Sequence, residues 1–292
     1  MKYYILFNPV AGKGNAADEA NALSVVYSGH EIEIHNITEI KSWSEFFSAV
    51  TSEDAVVLCG GDGTLNRFIN DTDGLDIPCD ILYYANGSGN DFLHDVGKEP
   101  GCKPFKINDY IKDLPFVEVN GKKYRFLNNV GFGIDGYCCE VGDKQKQTSK
   151  KKVNYTAIAI KGLLFHYKTT NATVVVDGKE FKYNKVWMAP TMKGRFYGGG
   201  MMPTPKQDRA DSSGMLSLLV LHDSGKLKTL MVFPSIFKGE HVKHTKIFDI
   251  HTGKDISVTF DRPTSIQIDG ETILGVTSYR AVAEAIVPSP VK

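Results

Sequence analysis

Three glycine-bearing segments carry the residue types that hold phosphate. They read Asn8-Pro9-Val10-Ala11-Gly12-Lys13-Gly14, Gly60-Gly61-Asp62-Gly63-Thr64-Leu65-Asn66 and Asn86-Gly87-Ser88-Gly89-Asn90-Asp91-Phe92. Glycine lets backbone N–H groups approach phosphate oxygens, and a helix starting after the turn adds the positive end of its dipole. None of the three is a Walker loop. Phe7 stands where that motif needs its first glycine, and neither Ser nor Thr follows Lys13. Nor does any of them fit the dinucleotide pattern G-x-G-x-x-G. Asp62, set between glycines, would repel a phosphate at direct contact. It therefore acts through Mg²⁺ or water, or else it bonds its own turn. Asp91 invites the same reading, with helix capping as the alternative. Far along the chain, Asp269-Gly270-Glu271 offers a carboxylate able to take a proton from a hydroxyl during phosphoryl transfer. The same Asp-Gly pair suits a hairpin turn, which would leave Glu271 a solvated neighbour.

The three turns follow three apolar runs, Lys2–Phe7, Ala55–Cys59 and Asp80–Ala85. Glu31–Asn36 alternates polar and apolar residues, the period of a strand. Ala16–Tyr27 has helical composition, Ser42 suits the N-cap of a helix over Trp43–Val50, and another helix is expected from Thr64. Strands alternating with helices predict βαβ units and a mainly parallel sheet, whose strand-end loops share one ligand-binding rim. From about residue 115 hairpin signals replace this pattern. Asn120-Gly121, Asp177-Gly178 and Asp269-Gly270 each separate two strand-like runs, and Val153–Tyr167 reads as one helix among them. The second region is expected to be antiparallel β, a sandwich or barrel.

The chain has 292 residues with 34 basic and 34 acidic side chains, 42% hydrophobic and 23% charged. That balance excludes a disordered or fibrous chain and suggests two domains. Residues 1–115 hold 8 Lys+Arg against 18 Asp+Glu, and residues 116–292 hold 26 against 16. The basic half is thus a candidate for an anionic surface. Within it, Lys144, Lys146, Lys150, Lys151 and Lys152 crowd together, and Lys193 and Arg195 precede Gly198-Gly199-Gly200. A sequence pI of 7.1 and the lack of a recognition motif argue against nucleic acid. No run approaches the length of a membrane span, and Tyr3–Phe7 is too short for the core of a signal peptide. Five cysteines without CxxC or Cys/His metal spacing point to free thiols and a cytoplasmic protein.

Gly60-Gly61-Asp62-Gly63-Thr64 resembles the signature shared by diacylglycerol kinases, sphingosine kinases, NAD kinases and phosphofructokinases. Together with Asn8-Pro9…Gly12, Gly87-Ser88-Gly89-Asn90-Asp91-Phe92 and Gly198-Gly199-Gly200, it looks like the diacylglycerol kinase catalytic family, particularly the soluble bacterial lipid kinases. The resemblance implies an α/β nucleotide-binding domain of the NAD-kinase and diacylglycerol-kinase type over 1–115, rejoined by 281–292. It implies a β-sandwich over 116–280, with ATP and Mg²⁺ in the cleft between. Carried over by residue, Asn8, Pro9, Val10, Ala11, Gly12, Thr38, Gly61, Asp62, Gly63, Thr64, Leu65, Asn66, Arg67, Ser88 and Asp91 would bind the cofactor. Glu271 and Asp62 would be catalytic. A second, structural Mg²⁺ site would fall on Ala210, Ser213 and Met215, but Ser213 stands where the family often has Asp.

The activity so implied is ATP-dependent phosphorylation of a hydroxyl on diacylglycerol or a related lipid, in peripheral contact with a membrane. The resemblance leaves a homodimer open. A soluble acceptor such as NAD and a non-catalytic lipid- or nucleotide-binding protein are the alternatives. The motif around Ser88 favours the lipid branch over the first.

Overall fold

Strand β3 (Ala55–Gly60) is buried along its whole length, which places it inside a sheet covered on both faces. On one side lies β1 (Lys2–Phe7), then β2 (Glu31–Asn36). On the other lies β4 (Asp80–Ala85), then a short β5 (Phe105–Lys106). All neighbouring pairs are parallel except β4 with β5. The computed structural model describes residues 1–9, 16–87, 89–148 and 153–283. The chain forms two units, Met1–Lys112 and Asp113–Lys292.

In the first unit, helix α1 (Ala16–Val26) packs Ala20 and Leu23 against Tyr3, Ile5, Val57 and Cys59. Alternation along β1 sends Tyr4 to the opposite face. There it meets Phe46 of α2 (Trp43–Ser48), and Trp43 meets Phe68 of α3 (Asp62–Asp71) edge to face. Ser42 is the expected cap, its hydroxyl accepting from the Glu45 amide at 3.2 Å. Helix α3 starts two residues before the expected Thr64 because Gly61 already serves as its N-cap. Two short helices, α4 (Asp91–Asp95) and α5 (Asn108–Ile111), flank β5.

The second unit is a ten-stranded sheet. Its strands are β6 (Phe116–Val119), β7 (Lys122–Arg125), β8 (Asn129–Phe132), β9 (Thr170–Val176), β10 (Lys179–Val186), β11 (Thr191–Met192), β12 (Leu216–Leu221), β13 (Phe248–Gly253), β14 (Asp255–Ile268) and β15 (Glu271–Val282). Every pairing is antiparallel. The fourteen-residue β14 pairs with β15, with β9 near its start and with β8 near its end. The three Asn-Gly and Asp-Gly hairpins form as expected, with both central residues at positive φ, for example 45° at Asp269 and 94° at Gly270. Alternate residues from these strands, among them Val117, Phe132, Val174, Leu218, Val258 and Ile266, make one buried cluster.

Helices differ more from expectation. Helix α6 (Ile134–Thr148) runs fifteen residues where none was foreseen. The single helix expected over Val153–Tyr167 is α7 (Tyr155–Lys161) continued by a π-helical turn, Gly162–His166. A further helix, α8 (Lys226–Val232), packs beside that turn. Strand β15 pairs with β6 up to Val282; residues 284–292, most of the expected C-terminal return, lie outside the described residues. No described helix is long and apolar enough to cross a membrane.

Candidate active site

Because β1, β3 and β4 are parallel, their carboxyl ends bring Asn8, Gly60-Gly61 and Asn86-Gly87 to one rim of the first unit. The turns touch one another through backbone and short side chains. A Cβ on Gly87 would sit 2.4 Å from the Gly61 Cα, and one on Gly61 would lie 2.9 Å from the Gly87 Cα. Only glycine fits at either place. The Asn86 amide donates to the Gly60 carbonyl at 3.0 Å, and the Asn8 side-chain amide donates to the Thr64 hydroxyl at 3.0 Å. The second turn is thus tied to both of the others.

Asp62 makes the tightest link. Its carboxylate accepts from the backbone amides of Asp91 at 2.9 Å and Phe92 at 3.1 Å, across 29 and 30 residues of chain. It therefore caps α4 from another turn, the kind of acceptor a helix start needs. Asp91 is buried, and its carboxylate and that of Asp62 flank Gly89. Asn90 adopts left-handed geometry, φ 55°, and its side chain returns a hydrogen bond to the Gly87 carbonyl at 3.0 Å. On the outer side Asn86 donates to Glu19 of α1 at 2.7 Å.

The start of α3 differs from that of α4. Its N-cap is Gly61, which has no side chain with which to cap this end. A ten-residue helix whose first amides face a glycine-lined rim has the donors and the dipole that an anion requires. Thr38 follows β2 on the same edge, exposed, with its amide and hydroxyl both donating to Asn36. Thr64 and Asn66 are buried at the head of α3, and Gly63 and Arg67 are exposed, the latter paired with Asp71 at 3.4 Å. Leu65 is fully buried and its amide is spent on the Gly61 carbonyl at 3.1 Å. Pro9 is exposed at the start of the first turn; Val10, Ala11, Gly12 and Ser88 lie outside the described residues.

This donor set fits a nucleotide triphosphate with its Mg²⁺. Two turns expose backbone with no Cβ between them, and two carboxylates flank Gly89. Magnesium is usually held by one or two carboxylates together with phosphate oxygens and water. The 208–215 segment fits a cation less well. The Met215 carbonyl already accepts from the Gln207 side chain at 2.8 Å, and the Asp211 carboxylate takes both the amide and hydroxyl of Ser213. Ala210 is exposed, with its amide on the Asp208 carboxylate at 2.9 Å. With the neutral Ser213 in place of an acid, nothing there is arranged around a common point. No group of three or more His, Cys, Asp or Glu able to hold a metal occurs among the described residues.

In the second unit, Glu271 opens β15 and is exposed at the end of the Asp269-Gly270 hairpin. The hairpin is held from behind. The buried Asp269 carboxylate accepts from three successive amides, Leu127, Asn128 and Asn129, at 2.5, 2.8 and 2.9 Å. Arg209 fixes the same loop through the Leu127 carbonyl and the Asn128 side chain, at 2.6 and 2.7 Å. Gln267 accepts from the Gly270 amide at 2.8 Å. Asp269 reads in sequence as a turn former; only the fold reveals it as the anchor. The triple glycine closes a tight loop, Tyr197 and Met201 exchanging hydrogen bonds of 3.0 Å around three positive φ angles.

Beneath β8 lies a charge that sequence reading missed. Asp135 is enclosed by the unit, and burial pushes its carboxyl up to about 6. Its own amide, that of Gly136 and the Gln267 side chain offset part of that cost. Yet neither carboxylate oxygen has a hydrogen bond of good geometry, and the Gln267 Nε2 is equally unsatisfied. Burial also raises the thiols of Cys59, Cys138 and Cys139, which suits inert, reduced cysteines.

A mainly parallel sheet with a glycine rim, followed by a large antiparallel sheet, defines a two-unit protein, α/β in its first unit and mostly β in its second. The family follows from comparison. Residues 2–112 match the diacylglycerol kinase catalytic domain, and residues 128–291 match the YegS C-terminal NAD kinase beta sandwich-like domain. The chain belongs to the diacylglycerol kinase catalytic-domain family, a family of lipid kinases. It is 25% identical over 253 residues to a diacylglycerol kinase of Mycobacterium tuberculosis, covering 83% of this chain and 80% of that one. Its fold is similar to a crystal structure of a diacylglycerol kinase from Bacillus anthracis, with a TM-score of 0.65 at 20% identity. That likeness covers 97% of this chain and 94% of the other.

Proposed function

We propose that the protein transfers the γ-phosphoryl group of ATP to a free hydroxyl of diacylglycerol or a related lipid. The observation that carries this reading is the contact of Gly61 with Gly87. It brings two glycine turns together backbone to backbone beside the start of α3, whose N-cap glycine has no side chain. Amides of Gly61–Thr64 and Gly87–Gly89 hold phosphate oxygens, and Asn8 and Thr38 complete the nucleotide rim. Bound Mg²⁺ would neutralise charge between those oxygens, held by the carboxylates of Asp62 and Asp91. Glu271 takes the proton of the acceptor hydroxyl as its oxygen forms the new bond to phosphorus and ADP leaves.

The test is transfer from ATP in the presence of Mg²⁺ to diacylglycerol in vesicles, beside NAD as a soluble acceptor, with product mass as readout. Lipid phosphate is the expected product. Glu271→Gln should lower turnover by about 10²–10⁴-fold at an unchanged melting temperature, since the residue is exposed. Phosphorylation of NAD alone, or tight ATP binding without turnover on any acceptor, would overturn the reading.

A further inference from the structure

The second unit leaves large apolar side chains in water where its fold has no use for them. Phe165 in the π-helical turn is 72% exposed, and Leu227 and Met231 of α8 are 73% and 74% exposed. Both elements already bury an inner face. Leu163 and Ile236 belong to a core with Trp187, Leu219 and Phe248, and Leu230 packs against it. The outward residues are therefore surplus to folding. They also lie together. Leu227 and Met231 are four apart on one helix face, and Lys226 Nζ donates to the Leu164 carbonyl at 2.8 Å, beside Phe165. Ile160 on α7 is 43% exposed on the helix leading into the turn.

Within their own two segments the charge has one sign. Residues 155–168 and 225–238 contain Lys161, Lys168, Lys226, Lys228 and Lys238 and not one Asp or Glu. None of these lysines is within ion-pair distance of a carboxylate among the described residues. By contrast, Lys144 and Lys146, which the sequence brings forward, are paired with Glu140 and Asp143 of their own helix at 2.5 and 3.1 Å. Lys150, Lys151 and Lys152 lie outside the described residues. Next to Phe165, a cavity of about 250 Å³ is lined by His166, Lys168 and Arg262, together with Glu140, whose charge Lys144 meets.

From this juxtaposition we infer that the face formed by α7, the π-helical turn and α8 docks on an anionic lipid bilayer. Phe165, Leu227 and Met231 enter the interface, and the lysines meet lipid phosphates. Exposed aromatic and aliphatic groups ringed by lysine are the composition of an interfacial element. The inference draws its purpose from the lipid-kinase reading, but its test needs no turnover.

The test is sedimentation with vesicles of phosphatidylcholine alone and of an equimolar mixture with phosphatidylglycerol. The wild-type chain should bind the mixed vesicles, release in high salt, and ignore pure phosphatidylcholine. A Phe165→Ser/Leu227→Ser/Met231→Ser variant should melt normally yet bind at least about tenfold more weakly. Lys226→Glu/Lys228→Glu should lose at least about fivefold per charge. On a short-chain diacylglycerol dissolved as monomers, all variants should match the wild type, which separates failed docking from failed chemistry. Two results would overturn the proposal. One is vesicle binding indifferent to both variants or absent from the wild type. The other is self-association of the wild type that the serine variant abolishes, which would make the face an interface between copies.

Discussion

An Asp62→Asn substitution separates two roles for that carboxylate. The side chain accepts from the amides of Asp91 and Phe92 at 2.9 and 3.1 Å. Asparagine keeps one acceptor oxygen and presents an NH₂ group to the second amide. One charge-assisted hydrogen bond is lost outright, about 1.5–3 kcal/mol, and the other becomes neutral and weaker. Losing the negative charge at the start of α4 adds about 0.3–1 kcal/mol. The first unit should therefore lose roughly 2–4 kcal/mol. Helix α4 has five residues, too few to persist without its cap. Hydrogen exchange read by mass spectrometry should show residues 91–95 exchanging about 30-fold faster or more, with β12 in the other unit as internal reference. Catalysis should fall as well. If activity disappears while protection of 91–95 stays at the wild-type level, Asp62 acts only through a ligand, and the capping argument is wrong.

Asp269→Ala removes the acceptor of three buried amides and should destabilise the second unit by about 3–5 kcal/mol. Urea melting followed at Trp187 reads this, and an unchanged midpoint would contradict the anchoring role. Asp135 gives a pH signature of the opposite sign to a salt-bridged acid. Its folded value, about 6, lies above the unfolded value of about 3.9. The native state thus holds the extra proton, and stability falls as pH rises from about 4 to 6, by about 3 kcal/mol in all. Asp135→Asn should flatten that slope and raise the melting temperature above pH 7. A variant less stable than the wild type at pH 8 would show that the carboxylate is better satisfied than its geometry indicates.

The sequence exposes features whose cause is local. Ser42 announces α2 because its partner amide is three residues on. The Asn-Gly and Asp-Gly turns announce three hairpins because positive φ is a property of those residues. Helix α6 is hidden because Gly136 and Gly142 lower its propensity. Both are required by packing. A Cβ on Gly136 would lie 2.0 Å from the Ser265 carbonyl oxygen on β14, and one on Gly142 2.6 Å from the Tyr155 ring on α7. Asp62 and Asp269 are visible as turn acids, but their acceptor roles depend on amides 29 and about 140 residues away. The apolar face of α8 is equally silent, since seven residues do not reveal which side the core will leave uncovered.

The back-to-back placement of Gly61 and Gly87 also restricts how such a chain can diverge. Neither position can acquire a side chain unless its counterpart retreats, so a lone mutation at either is trapped. Any drift in what the protein accepts must enter through other parts of the molecule, while this one contact stays bare of side chains.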